Sequence, residues 1–214
     1  MNGVRHLSIE AGPRCSMRHE WCPVSKMPAR VATLTPEVAE VIIREALARG
    51  FTGEVGFHYY NEPTLYPDFI RRVTEAAPEA RYVLWTNGAF LTDRLAARFG
   101  RIVVTDYGDL KPLPAHPNLG VIPCTPDARA SIYESPEIRD HIVCYRPSFE
   151  VPVDCTGRFH LCCEDWRGDV WIGDTSDIPA AFTNHARYRA ALASGTGGPE
   201  VCRRCTNPVT APME

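Results

Sequence analysis

Nine cysteines occur in this chain of 214 residues, and their positions are the strongest chemical signal in it. Cys15 and Cys22 stand near the start, Cys124 in the middle, and Cys144, Cys155, Cys162, Cys163, Cys202 and Cys205 toward the end. Thiols grouped in this way serve either a disulfide framework in an oxidising compartment or thiolate ligation of a metal in a reducing one. Residues 1–8 carry no basic start followed by an apolar run and a small-residue cleavage site, and no stretch reaches the ~18 apolar residues of a membrane span. The expectation is a soluble, cytoplasmic chain with metal-bound thiolates. A length of 214 residues buries enough apolar surface to fold without covalent staples. The net charge of −3 with dispersed basic residues lacks the footprint of phosphate-backbone binding, so neither nucleic acid nor membrane is an expected partner.

These thiols need elements to hold them. From residue 6 to about 124 short apolar runs alternate with amphipathic segments, the pattern of βα units around a mainly parallel sheet. Strands are expected over 6–11, 55–60, 82–86, 102–105 and 120–123. The first helix starts at Thr35 as N-cap with Pro36 in the first helical position, runs to Gly50, and presents Val38, Ile42 and Ala46 on one face. Further helices are expected over 67–77 and 92–99. Past Thr105, Gly108, Pro112, Pro114 and Pro117 crowd the place of the next crossover helix, which predicts a shortened, incomplete barrel. After residue 140, Phe149, Val151 and Val153 alternate, as do Phe159 and Leu161, around the turn Asp154-Cys155-Thr156-Gly157, which predicts a β-hairpin followed by a helix over 180–193. The expected class is α/β, with a shortened partial (βα) barrel over residues 1–140 and a small hairpin-and-helix lobe over 141–214.

The segment Cys15-Ser-Met-Arg-His19-Glu-Trp-Cys22, with Phe57-His-Tyr-Tyr-Asn61-Glu62-Pro63 and Trp85-Thr86-Asn87-Gly88, resembles the radical S-adenosylmethionine (SAM) superfamily. That family places C-x3-C-x2-C after its first strand, where three thiolates hold three irons of a [4Fe-4S] cluster and leave the fourth for SAM. Here His19 stands at the middle ligand position. The resemblance implies Cys15, His19 and Cys22 as cluster ligands, and Asn61, Glu62, Pro63, Thr86 and Asn87 as cofactor-binding positions. Asn61 replaces a customary glycine. All three segments fall at the C-terminal ends of expected strands, where barrel enzymes gather their active-site groups. Imidazole replaces thiolate on iron in Rieske centres and raises the potential. Two readings compete with ligation by His19: a third iron held by another group, and a solvent-facing His19 in a degenerate site. Asn-Glu-Pro and Thr-Asn-Gly taken singly are also ordinary turn sequences.

Gly157-Arg-Phe-His-Leu-Cys162 and Cys202-Arg-Arg-Cys205, with Cys144 before the hairpin, resemble the shortened SPASM lobe called Twitch. That resemblance implies Cys144, Cys162, Cys202 and Cys205 as ligands of a second [4Fe-4S] cluster. Neighbouring residues of a strand face opposite ways, so only one of Cys162 and Cys163 can readily reach it. Cys155 reads as an exchangeable thiol in the turn and Cys124 as a small buried hydrophobe. The competing assignment is tetrahedral zinc, which C-x2-C with two remote cysteines also satisfies.

Together these likenesses imply a radical SAM oxidoreductase with two [4Fe-4S] clusters and SAM, acting on a small polar metabolite, sugar or nucleoside-like, in specialised metabolism. An external reductant such as flavodoxin or ferredoxin would serve it. Sulfur insertion, peptide modification and a non-catalytic electron-transfer protein are the alternatives. His58, Tyr59, Tyr60, Tyr107, Arg146 and Asp165 are candidate substrate contacts because they flank motif residues.

Overall fold

The computed structural model describes residues 1, 3–126 and 138–212. Its spine is an eight-stranded sheet in the order β5-β4-β3-β2-β1-β6-β7-β8. β1 (His6–Ile9), β2 (Glu54–Gly56), β3 (Arg81–Thr86), β4 (Arg101–Asp106) and β5 (Leu119–Pro123) run parallel. β6 (Glu150–Val153) also runs parallel to β1, pairing His6 with Glu150 and Ile9 with Val153. β7 (Arg158–Phe159) and β8 (Gly173–Asp174) continue antiparallel. The expected hairpin is therefore present as β6 and β7, and its first strand is also a sixth parallel strand of the main sheet.

Period-two alternation sorts β1 between two surroundings. Leu7 and Ile9 are fully buried in the main apolar core, while His6, Ser8 and Glu10 are buried polar groups on the other face. α1 (Pro36–Ala48) begins as expected, with the Thr35 hydroxyl accepting from the Val38 N–H. Its buried face is Ala39, Ile42, Ile43 and Ala46, with Val38 only partly covered, so the apolar stripe sits one residue further round than expected. α2 (Pro67–Ala76) buries Phe69, Ile70 and Val73.

The helix expected over 92–99 is a single turn, α3 (Asp93–Ala96), capped by Thr92. It ends early because the Gly100 N–H must meet the Tyr82 carbonyl, 3.0 Å away, to start β4. Between β4 and β5 no helix forms, in keeping with the proline-rich stretch. β2 stops at Gly56 rather than at residue 60, because the Asn61 side chain takes the Tyr59 N–H and gives its own amide to the Phe57 carbonyl. α4 (Arg146–Phe149) leads into β6, and α6 (Glu200–Arg204) carries Cys202 beside the final cysteine. Among the described residues no helix is long and apolar enough to cross a membrane.

α5 (Ile178–Ser194) packs Ile178, Ala181, Phe182 and Leu192 inward together with His185. The His185 Nε2–H lies 3.0 Å from the Leu161 carbonyl, so a neutral imidazole pins the residue before Cys162. Burial first, and the charge of Arg189 with it, pushes its pKa down to about 4. The unfolded chain therefore binds this proton more readily than the folded one. The stabilisation is complete above the unfolded value of about 6.5 and is lost as pH falls toward 4, a cost on the order of 3 kcal/mol. Urea midpoints measured across this window should fall with acidification, and His185→Gln should flatten the slope.

Candidate active site and thiol pocket

The loop that follows β1 carries Cys15, His19 and Cys22 into a cleft of about 190 Å³ at the C-terminal ends of the strands. The same cleft is lined by Asn61 and Glu62 after β2, Thr86 and Asn87 at the end of β3, and Thr105 and Tyr107 at the end of β4. Pro63 is buried at the start of a short 3-10 turn, Pro63–Leu65, and serves the backbone.

Glu62 organises this mouth. It is 2% exposed, and its carboxylate accepts from the Thr64 N–H at 3.0 Å, the Thr64 hydroxyl at 2.6 Å, the Thr86 hydroxyl at 2.6 Å and the Asn87 N–H at 2.9 Å. Its own N–H meets the Arg14 carbonyl at 2.9 Å. One acidic side chain thus ties the ends of β2 and β3 to the cysteine loop. Asn87 adds a second tie, donating to the Ser16 hydroxyl at 3.0 Å.

Glu10, just past β1, was not singled out by motif. It is fully buried and takes Arg30 through both oxygens, at 2.5 and 3.0 Å, together with the Tyr60 and Cys155 N–H groups at 3.1 and 3.0 Å. A lone acidic residue at an inward position of an apolar strand was the available signal. Cys155, expected as an exchangeable thiol, is 1% exposed beside this ion pair, and burial pushes its thiol up to about 12.

His19 stacks on two aromatic rings. Its centroid lies 4.7 Å from Trp21 at 3° and 4.5 Å from Tyr107 at 17°. Trp21 and Tyr107 are 6.4 Å apart and near-parallel. The Tyr107 phenol is pushed up to about 12 by burial, with Cys124, Cys22 and Cys15 adding to it. Cys124 is half-buried rather than buried, close enough to this site to act on Tyr107.

The second group of cysteines also comes together. Cys144, Cys162, Cys202 and Cys205 line one pocket with Ile142, Leu192, Val201 and Pro147, and with Arg146, Glu164 and Asp165 at its polar side. Burial raises the thiols of Cys162 and Cys202, and raises Cys205 to about 11. Cys163 diverges from them: its sulfur is 3.7 Å from Arg146 Nη1 and its carbonyl accepts from the Tyr60 hydroxyl. Among the described residues no three His, Cys, Asp or Glu side chains converge on a single metal-ion position. A cuboidal cluster sets each protein ligand on its own iron, so its ligands surround a volume instead of meeting at a point. Four thiols round an apolar pocket, and two thiols with an imidazole in an aromatic cleft, are donor sets that suit such clusters.

Of the candidate substrate contacts, Tyr59, Tyr60 and Tyr107 line the cleft. His58 is half-buried outside that lining, its ring 5.2 Å from His6 and 5.8 Å from Trp85. Arg146 and Asp165 line the thiol pocket, where the Asp165 carboxylate also accepts from the Asp169 and Val170 N–H groups.

No protein-family model matches the chain. It is 28% identical to an S-adenosyl-L-methionine-dependent 2-deoxy-scyllo-inosamine dehydrogenase of Niallia circulans, across 94% of this chain and 92% of the relative. This relative supports an S-adenosyl-L-methionine-dependent oxidoreductase. The fold is also that of BtrN. A crystal structure of BtrN in complex with AdoMet and 2-DOIA superimposes with a TM-score of 0.73 at 21% identity, over 95% of this chain and 93% of that one. BtrN in an open conformation gives 0.70 at 22% identity, over 95% and 92%. The cleft brings the cysteine loop and the ends of β2 and β3 together.

Proposed function

We propose that this chain is a radical SAM dehydrogenase that oxidises an alcohol carbon of a small polar metabolite of the aminocyclitol or amino-sugar class. What supports the reading is the meeting of Cys15, His19, Cys22, Asn61, Glu62, Thr86 and Asn87 in one cleft, joined to near full-length kinship with a dehydrogenase of 2-deoxy-scyllo-inosamine. Residues 1–140 form the cofactor-binding part, of partial-barrel type, and residues 141–214 a Twitch-like part. Cys15, His19 and Cys22 hold the first [4Fe-4S] cluster; Cys144, Cys162, Cys202 and Cys205 hold the second.

When bound, the cofactors would supply an electron, a SAM-derived radical to take the carbon-bound hydrogen, and an acceptor for the electron released as the alcohol loses its hydroxyl proton to solvent and becomes a carbonyl. The chain's own residues arrange that chemistry. Glu62 fixes the Thr86 hydroxyl and the Asn87 N–H, two residues that would hold SAM, and Asn87 holds the loop through Ser16. Tyr59, Tyr60, Trp85 and Tyr107 wall the cleft against water. An external flavodoxin or ferredoxin in a reducing cytoplasm completes the cycle.

Anaerobic incubation of the two-cluster protein with SAM, a strong reductant and 2-deoxy-scyllo-inosamine should yield 5′-deoxyadenosine, methionine and a ketone. Failure to form 5′-deoxyadenosine with both clusters assembled would falsify the reading in favour of a non-catalytic iron–sulfur protein. A colourless, zinc-loaded C-terminal pocket would remove the second cluster. His19→Ala is expected to change the EPR and Mössbauer spectra of the N-terminal cluster; unchanged spectra and activity would take His19 out of the ligand set.

A further inference from the structure

A ligating imidazole must aim a ring nitrogen in the plane of its own ring, so whatever fixes that plane fixes the bond. Thiolate ligands have no such requirement. The middle position of the loop in this chain is an imidazole, and it is the residue of that loop that two other rings contact face-on, at 4.7 and 4.5 Å.

The two rings arrive by independent routes. Trp21 lies two residues along the loop, next to Cys22. Tyr107 comes from the far side of the cleft, at the tip of β4, where no crossover helix follows. Gly108, at φ +94, takes a left-handed turn there with its N–H 2.7 Å from Asp106 Oδ1, and this turn leaves Tyr107 at the mouth of the cleft.

We propose that Trp21 and Tyr107 are positioning residues for His19, a two-ring platform that sets the imidazole plane so that its edge presents a nitrogen to the third iron of the N-terminal cluster. The proposal rests on the reading of His19 as a ligand. Stacking against the ring faces leaves the ring edge free for a bond, whereas a hydrogen bond to the imidazole would occupy a nitrogen. Aromatic pairs of this geometry are favoured beyond the area they bury, and two of them select one ring orientation.

The test uses the full-length, anaerobically reconstituted and reduced protein. Two quantities are read: the nitrogen hyperfine coupling on the N-terminal cluster by pulsed EPR, and the midpoint potential of that cluster. Trp21→Leu and Tyr107→Leu remove a ring, Trp21→Phe and Tyr107→Phe keep one, and each is made in the wild type and in His19→Cys. The expected result is a reduced or broadened nitrogen coupling and a shifted potential in both Leu variants, with both properties restored in the Phe variants. In His19→Cys the same substitutions should leave the potential in place.

Unchanged coupling and potential in the Leu variants would overturn the proposal. So would equal shifts in the His19→Cys background, since the rings would then be excluding solvent from the cluster and not orienting the imidazole. A Leu variant that loses the cluster only where His19 is present supports it, and loss in both backgrounds overturns it. If wild-type protein shows no nitrogen coupling and Cys124→Ser abolishes the cluster, the third position belongs to the thiol at the end of β5. In that outcome His19 ligation fails along with the platform, while the dehydrogenase reading survives on 5′-deoxyadenosine formation.

Discussion

Cys162→Ser should remove about half of the iron and sulfide from the reconstituted protein, whereas Cys163→Ser should leave both at the wild-type level. The two sulfurs are neighbours in sequence but not in surroundings. Cys162 is buried and faces Cys144, Cys202 and Cys205 across an apolar pocket, while Cys163 turns to Arg146. If Cys162 holds the proposed second cluster, SAM cleavage at the N-terminal loop should persist in this variant while ketone formation drops to background, since the electron leaving the substrate would lack an acceptor. The contrast is read by iron and sulfide analysis, absorbance near 400 nm, and separate assays of 5′-deoxyadenosine and ketone. Wild-type iron in Cys162→Ser with half lost in Cys163→Ser would move the ligand role to Cys163.

Glu62→Ala is expected to weaken SAM binding and turnover together, by about 10²-fold. The substitution leaves the Thr64 N–H and hydroxyl, the Thr86 hydroxyl and the Asn87 N–H without their acceptor in a site that is 2% exposed. Each unsatisfied buried donor costs about 1–3 kcal/mol, so the turn at the end of β3 should relax toward other partners and shift the wall of the cleft. Glu62→Gln keeps the shape but places an amide N–H₂ against donors, and should fall between wild type and Ala. Calorimetry with SAM and single-turnover formation of 5′-deoxyadenosine measure the two effects. An Ala variant that binds SAM normally would show that the turn holds itself.

Much of this arrangement was legible in the sequence wherever the cause is local. Thr35 and Pro36 announce α1, Pro67 announces α2, and the prolines after Thr105 announce the missing helix. The grouping of the cysteines into two pockets was likewise legible because their spacing is written along the chain. What could not be read is what depends on long-range contact. The pairing of β6 with β1 joins residues more than 140 apart, and β8 is two residues long with a glycine, too short to carry a period. The stacking of Tyr107 on His19 depends on where the β4 tip meets a loop more than 80 residues earlier. Glu10 was passed over because its partners, Arg30, Tyr60 and Cys155, come from three separate segments.

The insertion of β6 beside β1 has an engineering corollary. A chimera that grafts residues 141–214 of this chain onto another barrel, or trims them away, would strip β1 of one neighbour along its whole length and leave the Arg5 and Glu10 N–H groups without the Phe149 and Val153 carbonyls. The strand that delivers the first cysteine loop would become a bare edge. In this enzyme the tail is masonry for the head, and neither half is a detachable cassette.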